Sequence, residues 1–473
     1  MHKLSGYVGL LTHPTAAHLI AFFGLLAVAA AAVFFLVRMQ PATLVCLGVG
    51  AEAFSGDWRY MHIPLPVDRV LFVLAFGSLI WRGTRAVSDR TLVFHPIHVL
   101  LVAIVVYVTC SAIWAGTLTT SLGFYALLDR LGVIPFIMFT LAPLLFRDRR
   151  ARNLLLVVLV VLGLYLAMTA WLEGLGLLRF VEPAYIRNPT LGIHFGRARG
   201  PFLESVADGM CMFICAVASA VALTEWRHRL ARLACFGVIG GSAIGIIFTL
   251  TRANWLSAAI GTIVAMACDR RLRRRLPAVL VVGAVAVIGA LELIPGLSTK
   301  ASDRANQLSP VWDRYNTNDA ALRAWRDNPI FGIGWETFVV KGPDYLRQAA
   351  GYPLTGVGLE VHNVFLSHLV ELGVPGVLMW SLALFSAVGA ACVRRPPGDL
   401  DAWRTGLIAI FVAFLITADV GPFSYALPNL LLWMWAGIVA ADRYSRPRAA
   451  AAAVAAGPDP ARLARGDLVS VGP

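Results

Sequence analysis

Charge is scarce in this sequence: Asp, Glu, Lys and Arg make up 14% of its 473 residues, where soluble domains carry about 25%. With 58% hydrophobic residues and a mean hydropathy of +0.73, a soluble globule is excluded and a polytopic membrane protein is implied. The polar loops hold no His-Glu-x-x-His pattern and no paired-carboxylate motif, so neither a metal site nor a cofactor is read from them. Gly332-Ile333-Gly334 is too short for a nucleotide fingerprint. All seven cysteines fall within or at the ends of apolar runs, which excludes a disulfide framework in the loops. Cys211 and Cys215, one helical turn apart, read as small buried hydrophobes rather than a metal pair. Neither half of the chain repeats the other, as the halves of many transporters do. The first apolar run lacks a small-residue cleavage site and reads as a membrane anchor, not a cleavable signal.

What is present is a series of apolar runs of the length that crosses a bilayer, about 17 to 25 residues. They fall near 16–38, 41–54, 66–82, 97–116, 128–146, 153–174, 205–225, 231–249, 253–268, 276–295, 364–392, 405–420 and 427–441, the second being the shortest. The expectation is an all-α transmembrane bundle of about 12 to 13 spans. Arginine-rich turns at Arg147–Arg152, Arg227–Arg229, Arg270–Arg275 and Arg394–Arg395 lie between alternate pairs of spans, which assigns them to the cytoplasm. The segments near 175–204, 249–252 and 297–360 then face outward. This topology and anionic inner-leaflet lipid account for the net charge of +13, so no nucleic-acid partner is read from it. Four parts follow: 1–296 and 361–445 as the two pieces of the bundle, 297–360 as an extracytoplasmic loop of short helices, and 446–473 as a disordered cytoplasmic tail.

Candidate chemistry gathers in the outward loops. Arg197 and Arg199, set among glycines just before a span, suit either an anionic headgroup or simple snorkelling to lipid phosphates. Arg252 lies between two apolar runs with almost no connecting loop and against the charge bias of that side. An arginine held near a span is usually paired or functional, with Glu204 or Asp208 as the structural partners to consider. In the long loop, Asp319–Asp327 reads as a short helix entered from Asn316-Thr317-Asn318 and closed by Asn328-Pro329. Its Arg323 and Arg326 share a face and can grip one phosphate, but Asp319 and Asp327 stand at ion-pair spacing from Arg323, and on spacing alone local pairing is slightly favoured. His362, followed by Asn363 at the mouth of the next span, can exchange a proton near neutral pH or serve as a structural hydrogen bonder. His62 and His194 lack that setting.

Four motifs in order carry a resemblance: Arg197 to Phe202, Thr249 to Leu256, Arg323 to Gly334, and His362 to Gly376, the last reading His-Asn-x-x-Leu-x-x-x-x-Glu-x-Gly-x-x-Gly. Together they resemble the O-antigen ligase and polymerase superfamily over roughly residues 50 to 440. The resemblance implies a GT-C-like, metal-independent membrane glycosyltransferase. It would take a saccharide from an undecaprenyl-pyrophosphate carrier on the outer face of the bacterial inner membrane and pass it to a glycan or lipid-linked acceptor, with inversion. It points to Arg252 and Arg323 as catalytic cations with His362 as the base or acceptor-positioning group, and to Arg197, Arg199, Arg314, Arg326 and Asn363 as substrate-binding residues. Arg314 stands as the alternative to Arg323 for the loop arginine. Polymerisation of repeat units is favoured over ligation to a lipid core on the character of Phe54–Trp58 and Pro64–Arg69, and a lipid or polysaccharide transporter is the reading from another class.

Overall fold

The structure, a computed structural model, describes residues 38–87, 90–348, 353, 360–421 and 425–447. The described chain is an all-α multi-pass bundle whose helices follow the apolar runs: α1 Pro41–Ala51, α2 Val67–Val87, α3 Pro96–Ala115, α4 Val133–Leu145, α5 Arg149–Gly174, α6 Ser205–Glu225, α7 Arg229–Phe248, α8 Arg252–Cys268 and α9 Leu276–Leu293. Three loop helices follow, α10 Leu297–Asn306, α11 Ser309–Asp327 and α12 Phe338–Tyr345, and then α13 Val364–Leu384, α14 Asp401–Val420 and α15 Ala426–Val439. Among the described residues, eight helical segments are long and apolar enough to cross a membrane, with Pro41–Phe54 and Ala426–Val439 as shorter apolar helices. The expected run at 16–38 lies outside the described residues except for its last position.

Packing sorts the spans by depth. Ser205–Glu225 is 78% enclosed by protein across its apolar window, whereas Leu276–Leu293 is 6% enclosed. The first is therefore a central post and the second a peripheral helix whose apolar side chains have lipid as their partner. Helices α6, α8, α14 and α15 form the centre, with α8 against α14 and α15 against α4 as close pairs. Trp403 and Trp435 meet there at 4.6 Å, and the Trp435 indole donates to the Trp403 carbonyl at 2.8 Å, so the buried N–H is satisfied.

Two elements differ from the sequence expectation. The helix expected from Asp319 begins at Ser309, because Pro310 is preorganised for a helical first turn and the would-be entry residues Asn316 and Thr317 are buried inside the helix. It ends at Asp327, before Asn328-Pro329, where expected. The tail expected to be disordered from Arg446 is held at its start: Ser445–Pro447 pairs antiparallel with Arg90–Leu92, setting Arg446 opposite Thr91. The remainder, 448–473, lies outside the described residues.

Candidate active site

Helices α7 and α8 are separated by a sharp break at Thr249-Leu250-Thr251, where Leu250 takes φ 47°. Side chains fix this break. The Thr251 hydroxyl lies 3.1 Å from Ser205 Oγ and 3.0 Å from the Thr249 carbonyl, and the Asn254 amide donates to the Ser205 carbonyl at 2.8 Å. Arg252, the first residue of α8, is thereby aimed at the long loop. Its Nη1 and Nη2 donate to the carbonyls of Ala305 (3.1 Å) and Gln307 (3.4 Å) at the C-terminal end of α10, where helix carbonyls are left without intrahelical donors.

That contact gathers the cations. Arg304, on the last turn of α10, is pushed down to about 10 by burial and by the neighbouring guanidiniums of Arg197, Arg252 and Arg314. Burial and Arg252 likewise pull Arg314 down, and burial lowers Arg197 against the opposing pull of Glu204. The Nε groups of Arg304 and Arg314 are buried without a hydrogen-bond partner among the described residues. Mutually repelling guanidiniums with unfilled donors favour an anion between them.

His362 stands against this cluster. Its Nδ1 lies 2.8 Å from the Glu360 carbonyl, and a carbonyl only accepts, so Nδ1 carries the proton and Nε2 holds the lone pair. Burial and then Arg314 lower its pKa, against the opposing Glu360 and Asp313. Both influences favour the neutral imidazole, which is the form of a general base. Asn363 caps α13: its Oδ1 accepts from Leu366 N at 2.9 Å while its amide donates to Asp419 Oδ1 at 2.7 Å, tying α13 to the end of α14.

The remaining sequence candidates sit elsewhere. Arg199 is fully buried, donating to the carbonyls of Ile186 (2.9 Å), Asn188 (2.7 Å) and Leu191, and so staples the 178–204 segment together. Arg323 pairs with Asp319 and donates to the Tyr345 carbonyl at 3.0 Å, joining α11 to α12. Arg326 is exposed at the end of α11. Electrostatic contacts therefore gather Arg197, Arg252, Arg304, Arg314 and His362, whereas Arg199 and Arg323 spend their donors on protein except for Arg199 Nε and Arg323 Nη2, which have no partner among the described residues. His194 does have a charged neighbour, with Nδ1 3.3 Å from Glu204 Oε1 and 3.2 Å from Ser205 Oγ. Arg304 was missed: it reaches the cluster only because Arg252 grips the carbonyls of Ala305 and Gln307 on either side of the end of α10.

Comparison with known proteins falls on this region. Residues 236–381 match the O-antigen ligase family. The chain is also 27% identical over 193 residues to ExoQ, an exopolysaccharide production protein of Rhizobium meliloti. That match covers 39% of this chain and 42% of ExoQ, so the chain spans less than half the length of this relative. The resemblance to the O-antigen ligase and polymerase superfamily is supported by both.

The family segment holds Arg252, Arg304, Arg314, Arg323 and His362, while Arg197 precedes it. It also contains a lock that fixes the loop. Helix α13 is broken at Gly373 (φ 68°), and the freed backbone binds the loop: Ile333 N donates to Val370 O (2.9 Å), Gly334 N to Glu371 O (3.0 Å) and Val374 N to Pro329 O (3.2 Å). A Cβ on Gly373 would lie 1.9 Å from the Ile330 carbonyl, so only glycine fits. Beneath it, buried Arg130 joins three elements, with Nη1 2.6 Å from Glu336 Oε1 and Nη2 2.5 Å from Ser367 Oγ. His362 lies just before the helix that this lock holds.

Proposed function

We propose that the protein is a glycosyltransferase acting on a saccharide carried by undecaprenyl pyrophosphate, at the outer face of the bacterial inner membrane. The observation that carries this reading is the cluster of Arg197, Arg252, Arg304 and Arg314 with the lone pair of His362 Nε2 beside it. Clustered guanidiniums suit a pyrophosphate, whose charge grows as the sugar leaves. The acceptor hydroxyl attacks the anomeric carbon, the carbon–oxygen bond to the pyrophosphate breaks, and its electron pair stays on the departing phosphate oxygen. The hydroxyl proton passes to His362 Nε2. Attack from the side opposite the leaving group inverts the anomeric configuration. The lipid pyrophosphate is already a good leaving group, so arginines can do the work that a metal does elsewhere, as the family resemblance implies.

The acceptor is read as a second lipid-linked repeat, which makes the product a lengthening polysaccharide. The likeness to an exopolysaccharide production protein supports this, and the name of the matching family supports ligation to a lipid core as the second reading. Purified protein in nanodiscs, given the lipid-linked saccharide alone, tests them. Release of undecaprenyl pyrophosphate with growth of lipid-linked chains is the expected result. Release only on addition of a lipid core favours the ligase, and no release with any acceptor favours a transporter.

A further inference from the structure

At the end of the bundle that carries the arginine-rich turns, a second group of guanidiniums surrounds a cavity of about 260 Å³. Two helix ends make it. The span Val364–Val393 stops at Arg394 and Arg395 because Pro396-Pro397 cannot continue a helix, and α15 passes through Ala440 into the short helix Ala441–Tyr444. Arg394 and Arg395 line the cavity from the first end and Arg443 from the second. The 30-residue span sets them up to about 45 Å from His362 at a helix's rise per residue, so they take no part in the reaction site.

The floor of the cavity is firmly held. Tyr444 is 1% exposed, and the rings of His95, His98 and Phe139 meet it edge-on, each centroid 5.3 Å away. Its carbonyl accepts from Val93 N at 2.9 Å, and the Arg443 carbonyl accepts from His95 Nε2 at 3.1 Å. The Arg443 guanidinium lies 5.3 Å over the Tyr444 ring. Burial raises the pKa of the Tyr444 hydroxyl while Arg443 and Arg394 oppose the rise, so guanidiniums from both helix ends stand near one hydroxyl.

Several other arginines at this end are spent on protein. Arg152 pairs with Asp399 (2.7 Å) and Arg149 with Glu225 (2.7 Å), while Arg232 donates to the Leu223 carbonyl (2.8 Å) and Arg404 to the Cys392 carbonyl (3.0 Å). Arg394, Arg395 and Arg443 make no ion pair and no side-chain hydrogen bond to the described residues. Against these three cations the described wall sets one carboxylate, Asp442, so a positive excess remains. Converging guanidiniums with unspent donors call for an anion, and phosphate matches their geometry.

Size and lining narrow the choice. The volume lies below the roughly 300 to 1,000 Å³ of drug-sized and cofactor sites, which disfavours a whole nucleotide and leaves room for a headgroup phosphate. Ala387, Ala391 and Val439 make the rest of the wall apolar at the very end of the spans, the level at which a phospholipid passes from phosphate to glycerol and acyl chain. Basic pockets between spans at this face suit anionic lipid headgroups.

We propose that this cavity binds the phosphate of an anionic bilayer phospholipid, of the phosphatidylglycerol kind, between the ends of the two helices. The site is independent of the glycosyltransferase reading.

Native mass spectrometry of the full chain in neutral detergent, titrated with phosphatidylglycerol, phosphatidylcholine or inorganic phosphate, tests it. Arg394→Gln/Arg395→Gln takes two exposed cations from the wall, and Arg271→Gln/Arg274→Gln removes the same charge from an exposed turn outside the cavity. Thermal midpoints confirm that each folds, and Arg443→Gln serves as a second cavity variant. The wild type is expected to bind phosphatidylglycerol more tightly than either other probe. Both cavity variants are expected to lose that affinity about tenfold while the outer pair keeps it. Equal loss in the cavity and outer pairs reduces the effect to general surface charge and overturns the site, as does equal wild-type affinity for the two lipids. Inorganic phosphate bound as tightly as phosphatidylglycerol, and lost with it in the cavity variants, overturns the lipid assignment in favour of a soluble phosphate.

Discussion

Arg252 gains its position from the break between α7 and α8 and its surroundings from the end of α10, so one side chain both joins the loop to the bundle and charges the site. Removing one preorganised donor to a developing negative charge typically costs about 10²- to 10³-fold in kcat. Arg252→Ala is expected to show a loss of that order in steady-state turnover, with Arg252→Lys partly active because charge remains without the fork. His362 gives a pH signature. Its pKa is lowered from 6.5, so the neutral base predominates above that value and kcat falls only as pH drops below it. Arg314→Ala removes a cation that lowers this pKa, so the acid limb of the kcat profile shifts to higher pH. An acid limb that stays in place contradicts the placement of Arg314 beside the base. Arg252 was legible in the sequence because an arginine between apolar runs, against the charge bias, needs a reason. Arg304 was not, since its role depends on a helix turn that brings it to Arg252. Spacing foresaw the Asp319–Arg323 pair, but not the bond of Arg323 to the Tyr345 carbonyl or the nearness of Arg314 to Arg252, which depend on how the loop helices fold.

Among the elements, the broken helix α13 decides how firmly the loop is held. Arg130→Ala leaves Glu336 as a buried, uncompensated carboxylate, a change that costs about 3 to 5 kcal/mol in buried ion pairs. Thermal unfolding in detergent is expected to show a clear drop, and limited proteolysis should cut the 297–360 segment faster. Gly373→Ala is expected to do the same through the clash with Ile330, with the bundle otherwise helical by circular dichroism. Unchanged proteolysis in both variants counts against the lock. Helix positions were largely readable, because a span must be apolar along its whole length: runs expected at 205–225 and 276–295 appear as Ser205–Glu225 and Leu276–Leu293. The start of α11 was misread because Asn316 and Thr317 look like helix-entry residues in isolation. Burial overrides that local preference.

For the whole molecule, the distribution of arginines sets an orientation that can be checked directly. With the arginine-rich turns in the cytoplasm, a cysteine replacing exposed Ser302 is expected to react with a membrane-impermeant maleimide on intact spheroplasts. One replacing Arg271 is expected to react only after permeabilisation, both measured against the unsubstituted chain. The reversed pattern places the arginine cluster on the wrong side for an outer-face reaction. The most direct test of the central claim is release of undecaprenyl pyrophosphate from its saccharide-bearing form by purified protein, compared among the wild type, Arg252→Ala, Arg314→Ala and His362→Ala. The account predicts release by the wild type and a loss of at least about 10²-fold in Arg252→Ala and His362→Ala, with Arg314→Ala also impaired. Wild-type release rates in folded Arg252→Ala and His362→Ala would contradict it.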